Sequence, residues 1–157
     1  MIVIDTNIFS SISKETASDY DEFKPIIHWV KTATGACFVY GGTKYKKELV
    51  KVRSMLNLFD QFKKANKVVS INGEMIDSYE AKLESANQQA AFNDKHLVAI
   101  IETSNCHLLC TKDEEAMPFI KDTQFYETSS PPKLYTGERN RDLLVSGNIV
   151  ALRNVVG

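Results

Sequence analysis

The sequence predicts a three-layer α/β domain: a mostly parallel central sheet flanked by helices. Short apolar runs of strand length alternate along the chain with longer segments of helical periodicity, the order expected of β-α-β units. The runs are near-continuous in apolar residues, as in strands covered on both faces. The 157 residues amount to about one domain. A chain of that size hides roughly 70% of the surface its unfolded form exposes. We therefore expect residues 1–157 to form one unit, with no repeat and no low-complexity segment.

The elements follow in order. Residues 1–4, "MIVI", read as a buried strand that stops at Asp5-Thr6-Asn7. Residues 20–34 place Phe23, Ile26, Ile27 and Val30 at helical spacing, with Gly35 to end the helix. Pro25 stands early in it, where proline is tolerated. "ACFVY" (36–40) is a second strand, closed by Gly41-Gly42. Residues 43–66 read as one long helix or a broken pair, striped by Leu49, Val52, Met55, Leu56, Phe59 and Phe62. "KVVSI" (67–71) is a third strand, and 73–89 a polar helix. Residues 93–105 form a helix with Leu97, Val98, Ile100 and Ile101 on its apolar face. "HLLCT" (107–111) is a fourth strand. A short helix limited by Pro118 follows, and "TQFYE" (123–127) is the candidate fifth strand. From Ser129 to Asp142 the composition shifts to that of a surface loop, before a short amphipathic tail, "LLVSGNIVALRNVV".

Net charge is −1, so no overall field attracts a polyanion, and an anionic substrate needs a local patch or metal ions. Cys37, Cys106 and Cys110 fit no disulfide framework and predict reduced thiols in a cytoplasmic protein. Cys106, His107 and Cys110 lack the paired spacing of structural zinc sites. The start has no basic region before its apolar run, so no signal peptide is expected. No apolar stretch approaches the ~20 residues that span a bilayer, so no membrane partner is expected.

The carboxylates carry the functional signal. Singly, each has an ordinary reading. Asp5 and Asp94 can cap the helices that follow them. Thr111 and Glu114 match a capping box in "TKDE". Glu48 can pair with Lys44 or Lys51 on a helix surface. As a set they are harder to dismiss. In an open parallel sheet all strand carboxyl ends share one edge, and ligands bind there where strand order reverses. Asp5 and Asp113 follow the first and fourth strands, Asp94 starts the helix leading into the fourth, and Glu48 lies in the helix after the second. Convergent carboxylates repel unless cations neutralise them. Hard oxygen donors suit Mg²⁺ or Mn²⁺, which can activate water and stabilise a leaving phosphodiester oxygen.

"IVIDTNIF", Glu48 in "KKEL", Asp94 in "FNDKHLVAIIETSNCHLLCTKD" and Asp113 in "TKD" resemble the PIN-domain ribonucleases, in order and over nearly the whole chain. The resemblance implies a PIN-like fold with Asp5, Glu48, Asp94 and Asp113 as an acidic quartet. The aspartates would hold Mg²⁺ or Mn²⁺, with Asn7 and Thr111 as accessory polar residues. It implies endonucleolytic cleavage of RNA. Single-domain members are often toxins paired with an antitoxin protein, and often homodimers. The alternative is a PIN fold that binds RNA or protein without cutting. A phosphotransferase of the dehalogenase kind would want a second Asp where Asn7 stands.

Among the basic residues, Lys44, Lys46 and Lys47 lie beside Glu48 and can steer RNA phosphates towards the acids. Arg139 and Arg141, in the late loop, can clamp a phosphate. Tyr45 and Tyr135 can stack on single-stranded bases or, equally, serve core or surface packing. Trp29 is expected in the core or at a partner interface. His28, His96 and His107 have no nucleophile beside them in sequence. An apolar face in 20–34 or 49–62 would permit a homodimer.

Overall fold

In the computed structural model, which describes residues 1–157, one sheet is built from six strands. They are β1 (Ile2–Ile4), β2 (Phe38–Tyr40), β3 (Val68–Ile71), β4 (Leu108–Cys110), β5 (Lys133–Tyr135) and β6 (Val155–Val156). The order is β5-β4-β1-β2-β3-β6. The first five are mutually parallel, and β6 runs antiparallel to β3. Every residue of β1 and β4 is buried, which explains their unbroken apolar sequences.

The helices are α1 (Phe9–Ser13), α2 (Tyr20–Thr32), α3 (Thr43–Leu49), α4 (Arg53–Lys64), α5 (Gly73–Ala86), α6 (Lys95–Ser104) and α7 (Met117–Ile120). The connections β1 to β2 and β2 to β3 step one way across the sheet. The connection β3 to β4 returns past β1, and β4 to β5 continues outward. Right-handed crossovers therefore set α1 to α4 on one face and α5 to α7 on the other. Contacts of α1 with α2 and α4, and of α5 with α6, agree with that division. The result is three layers around one cluster of 37 buried apolar residues. All ten residues of α6 are buried, so this helix is core on every side.

The order in which strands are added to the sheet reverses between β1 and β4. This is the switch point of the sheet, where the two following connections diverge and leave a crevice at the carboxyl edge. At β2 the turn into α3 depends on Gly42, whose φ of +80° suits glycine. A Cβ there would stand 2.7 Å from Ile76 Cγ2, so α5 packs directly on this turn.

Three elements differ from expectation. The fifth strand lies at Lys133–Tyr135, inside the segment read as loop; Thr123–Phe125 is a 3-10 turn capped by Asp122. An edge strand of three residues needs little apolar sequence, and here Tyr135 alone is fully covered. The 43–66 segment takes the second of its two expected forms, a pair of helices interrupted at 50–52 with Val50 62% exposed. The polar helix stops at Ala86. The tail forms 3-10 turns and then β6, pinned where the Asn154 amide donates to Thr103 O and the Asn72 N–H donates to Asn154 O. No helix is long and apolar enough to cross a membrane.

Candidate functional site

Asp5 directly follows β1, and its backbone N–H donates to Cys110 O at the end of β4. That bond continues the β1–β4 ladder and fixes Asp5 beside Thr111. The Asp5 carboxylate is 1% exposed. Its Oδ2 accepts the Thr111 hydroxyl at 2.6 Å, and its Oδ1 accepts the Asn7 backbone N–H at 3.2 Å. Burial pushes its pKa up; the bonds from Thr111 and Asn7 oppose the rise, and the Asp113 charge adds to it.

Thr111 is fully buried and serves both acids, because its Oγ1 also accepts the Asp113 backbone N–H at 3.1 Å. The expected capping box is absent. Asp113 caps instead: its Oδ1 accepts the N–H groups of Glu115 and Ala116. The Thr111 hydroxyl is committed to Asp5, leaving nothing for Glu114 to reciprocate.

Asp94 occupies the N-cap position of α6, yet its side chain makes no capping bond. Only its carbonyl takes part, accepting the Leu97 N–H. The half-buried carboxyl has its pKa raised to about 6, through burial first and then the charge of Asp5, with Asp113 contributing and His96 opposing. An acid at a helix start that caps nothing and faces two further acids is held against its own electrostatics.

Glu48 pairs with neither Lys44 nor Lys51. Its Oε2 lies 3.4 Å from His96 Nε2, across α3 and α6. Burial raises its pKa, but His96 and the Thr6 hydroxyl outweigh burial and hold the carboxyl below its ordinary value. No reactive residue adjoins His96 in the sequence, so its partner is set only by the fold. The signal it leaves in sequence is a lone imidazole in a helix otherwise dense in apolar residues.

The four acids thus gather at the carboxyl edge around the switch point, and Asp5 and Asp113 share the same end of the sheet. They do not form a ready-made cage: no three His, Cys, Asp or Glu side chains stand together as a metal-ligating group. The donor set still fits a hard divalent cation. Mg²⁺ and Mn²⁺ keep several waters and need only one or two direct carboxylates. Of the three aspartates, Asp94 is the one whose oxygens accept no hydrogen bond.

The accessory residues divide. Thr111 orients the Asp5 carboxylate through its hydroxyl. Asn7 is exposed and does so through its backbone, its side-chain amide making no hydrogen bond. Lys44 Nζ donates to Asn93 O at 2.6 Å, tying α3 to the approach to Asp94. Lys46 and Lys47 are exposed beside Glu48. Arg139 is also exposed and donates to Thr136 Oγ1, while Arg141 pairs with Glu138 at 3.5 Å. Arg141 lines a groove along α2 with Tyr20, Lys24 and His28, a groove that none of the four acids borders. Tyr45 and Tyr135 cannot stack on bases, because both are buried to 1% or less. Their hydroxyls donate to Ile4 O and Glu22 O. Trp29 is core, and the three cysteines are free and buried.

Compared with family models, with curated proteins and with solved structures, the chain matches none.

Proposed function

We propose that the carboxyl edge is the centre of a metal-dependent endoribonuclease of the PIN kind, using Mg²⁺ or Mn²⁺. The observation that carries this reading is Asp94, a half-buried carboxyl with no donor, raised to about 6 by burial and by Asp5. Such an arrangement lowers stability unless a cation or proton relieves it. When bound, the ion supplies charge neutralisation, contact with phosphate oxygens and a more acidic water.

The chain's own residues have separable tasks. Asp5, Asp94 and Asp113 offer anionic oxygens. Thr111 holds Asp5 and Asp113 in register. Glu48, held by His96 at the rim, is placed to accept a proton from an attacking water. Lys46 and Lys47, exposed beside Glu48, draw the phosphate backbone towards the acids. On the strength of the sequence resemblance we propose further that the protein acts as a toxin neutralised by an antitoxin partner, in the cytoplasm.

Incubating purified protein with single-stranded RNA in Mg²⁺, Mn²⁺ or EDTA tests the reading. Cleavage in either metal and none in EDTA is expected. The separation of the carboxylates favours a second reading, a PIN-fold module that binds RNA or protein without cutting. Metal-independent RNA binding with no cleavage would select it.

A further inference from the structure

We infer that His96 is a positioning residue whose Nε2–H holds the Glu48 carboxylate at the acid edge. For its functional consequence the inference rests on the nuclease reading; for the contact itself it rests on geometry.

His96 is 1% exposed, so bulk water cannot satisfy it. Neither Nδ1 nor Nε2 has a hydrogen-bond partner. Glu48 Oε2 is equally buried and equally unpartnered. The two orphaned atoms face each other at 3.4 Å, slightly beyond good hydrogen-bond length and alignment. Buried polar groups without partners are rare, and here each atom is the other's available partner. A movement of a few tenths of an ångström closes the bond. An imidazole carrying hydrogen on Nε2 donates whether or not Nδ1 is also protonated.

The surroundings limit the imidazole's freedom. The Tyr45 ring lies 6.5 Å from it, centre to centre, and the Tyr45 hydroxyl is fastened to Ile4 O, one residue before Asp5. Glu48 and Tyr45 share α3, and His96 and Asp94 share the start of α6. The contact therefore joins the two helices that bring acids to the edge. An ordinary core histidine would find a carbonyl or hydroxyl; this one finds only a carboxylate of the candidate site.

The test uses the full chain, single-stranded RNA and saturating Mn²⁺, with fold checked by circular dichroism. His96→Phe keeps the ring volume and removes the donor. It should lower kcat roughly tenfold to a hundredfold, as loss of an orienting partner typically does, with KM for RNA little changed. His96→Gln, which can place an N–H near the Nε2 position, should recover most of that loss. In a Glu48→Gln background, His96→Phe should cost nothing further. Equal losses in both backgrounds, or no rescue by Gln, would overturn the inference. Long-range 15N–1H correlation on the wild type supplies an arm independent of activity and of whether His96→Phe folds. An Nε2–H tautomer supports the contact, and an Nδ1–H tautomer overturns it. If the wild type neither binds Mn²⁺ nor cuts RNA, the nuclease reading fails and the tautomer still decides the contact.

Discussion

The Thr111 hydroxyl donates to Asp5 Oδ2 at 2.6 Å, joining the ends of β4 and β1 across the switch point. The same oxygen accepts the Asp113 N–H, so one buried side chain sets the spacing of two acids. Thr111→Val preserves shape and removes the donor, leaving a buried carboxylate oxygen unsatisfied. We expect a loss of about 1–3 kcal/mol in urea denaturation, a further rise in the Asp5 pKa and a large drop in RNA cleavage. Thr111→Ser should restore both stability and cleavage. Wild-type stability in the valine variant would show that the bond carries little.

Asp94 predicts how stability varies with pH. Its folded pKa, about 6, lies above the ordinary 3.8, so between those values the folded protein binds more protons than the unfolded chain. Its contribution to stability therefore falls as pH rises from about 4 to about 6 and is constant above that. Denaturation in EDTA across this range should show the decline, and Asp94→Asn should flatten it and be the more stable protein at pH 7. An unchanged slope in the variant would assign the decline to other groups.

Asp5 has two roles that one substitution separates. It caps the turn Thr6–Ile8, which Asn can do as well as Asp. It also supplies negative charge to the acid cluster, which Asn cannot. Asp5→Asn should therefore abolish cleavage while metal-free stability holds or rises. Full activity in that variant would favour the capping role alone.

Recognition of the substrate backbone should rest on few cations, because the protein's net charge is −1. If Lys46 and Lys47 each meet a phosphate, replacing both with Ala should reduce the log–log salt slope of single-stranded RNA binding by roughly 1.4, at about 0.7 per contact. The rate at saturating RNA should change less, since such contacts position substrate. An unchanged slope would make these lysines a solvated helix face and shift attention to Arg139 and Arg141.

How much was legible in the sequence follows from where each residue's environment is decided. The strands β1 and β4 could be read because burial on both faces forces continuous apolar runs, whereas β3, with only Ile71 fully buried, showed itself through its β-branched residues. β5 could not, since Lys133 is exposed and only Tyr135 is fully covered. Asp5 and Asp113 were legible because a carboxylate at a strand end is a local pattern. Their link through Thr111 was not, as it depends on β4 lying beside β1. The pairing of Glu48 with His96 was hidden for the same reason: it is set by how α3 and α6 meet. For Tyr45 and Tyr135 the sequence left base stacking and packing open, and the fold selects packing, each lying in the core with its hydroxyl on a carbonyl.

The central claim is that the acids of the carboxyl edge hold a divalent cation. Calorimetric titration of Mn²⁺ into metal-free protein at pH 7, wild type against Asp94→Asn, tests it most directly. The account predicts saturable binding by the wild type and at least a tenfold weaker affinity in the variant, with the variant fully folded. Equal affinity in the two proteins, or no binding by the wild type, would contradict it.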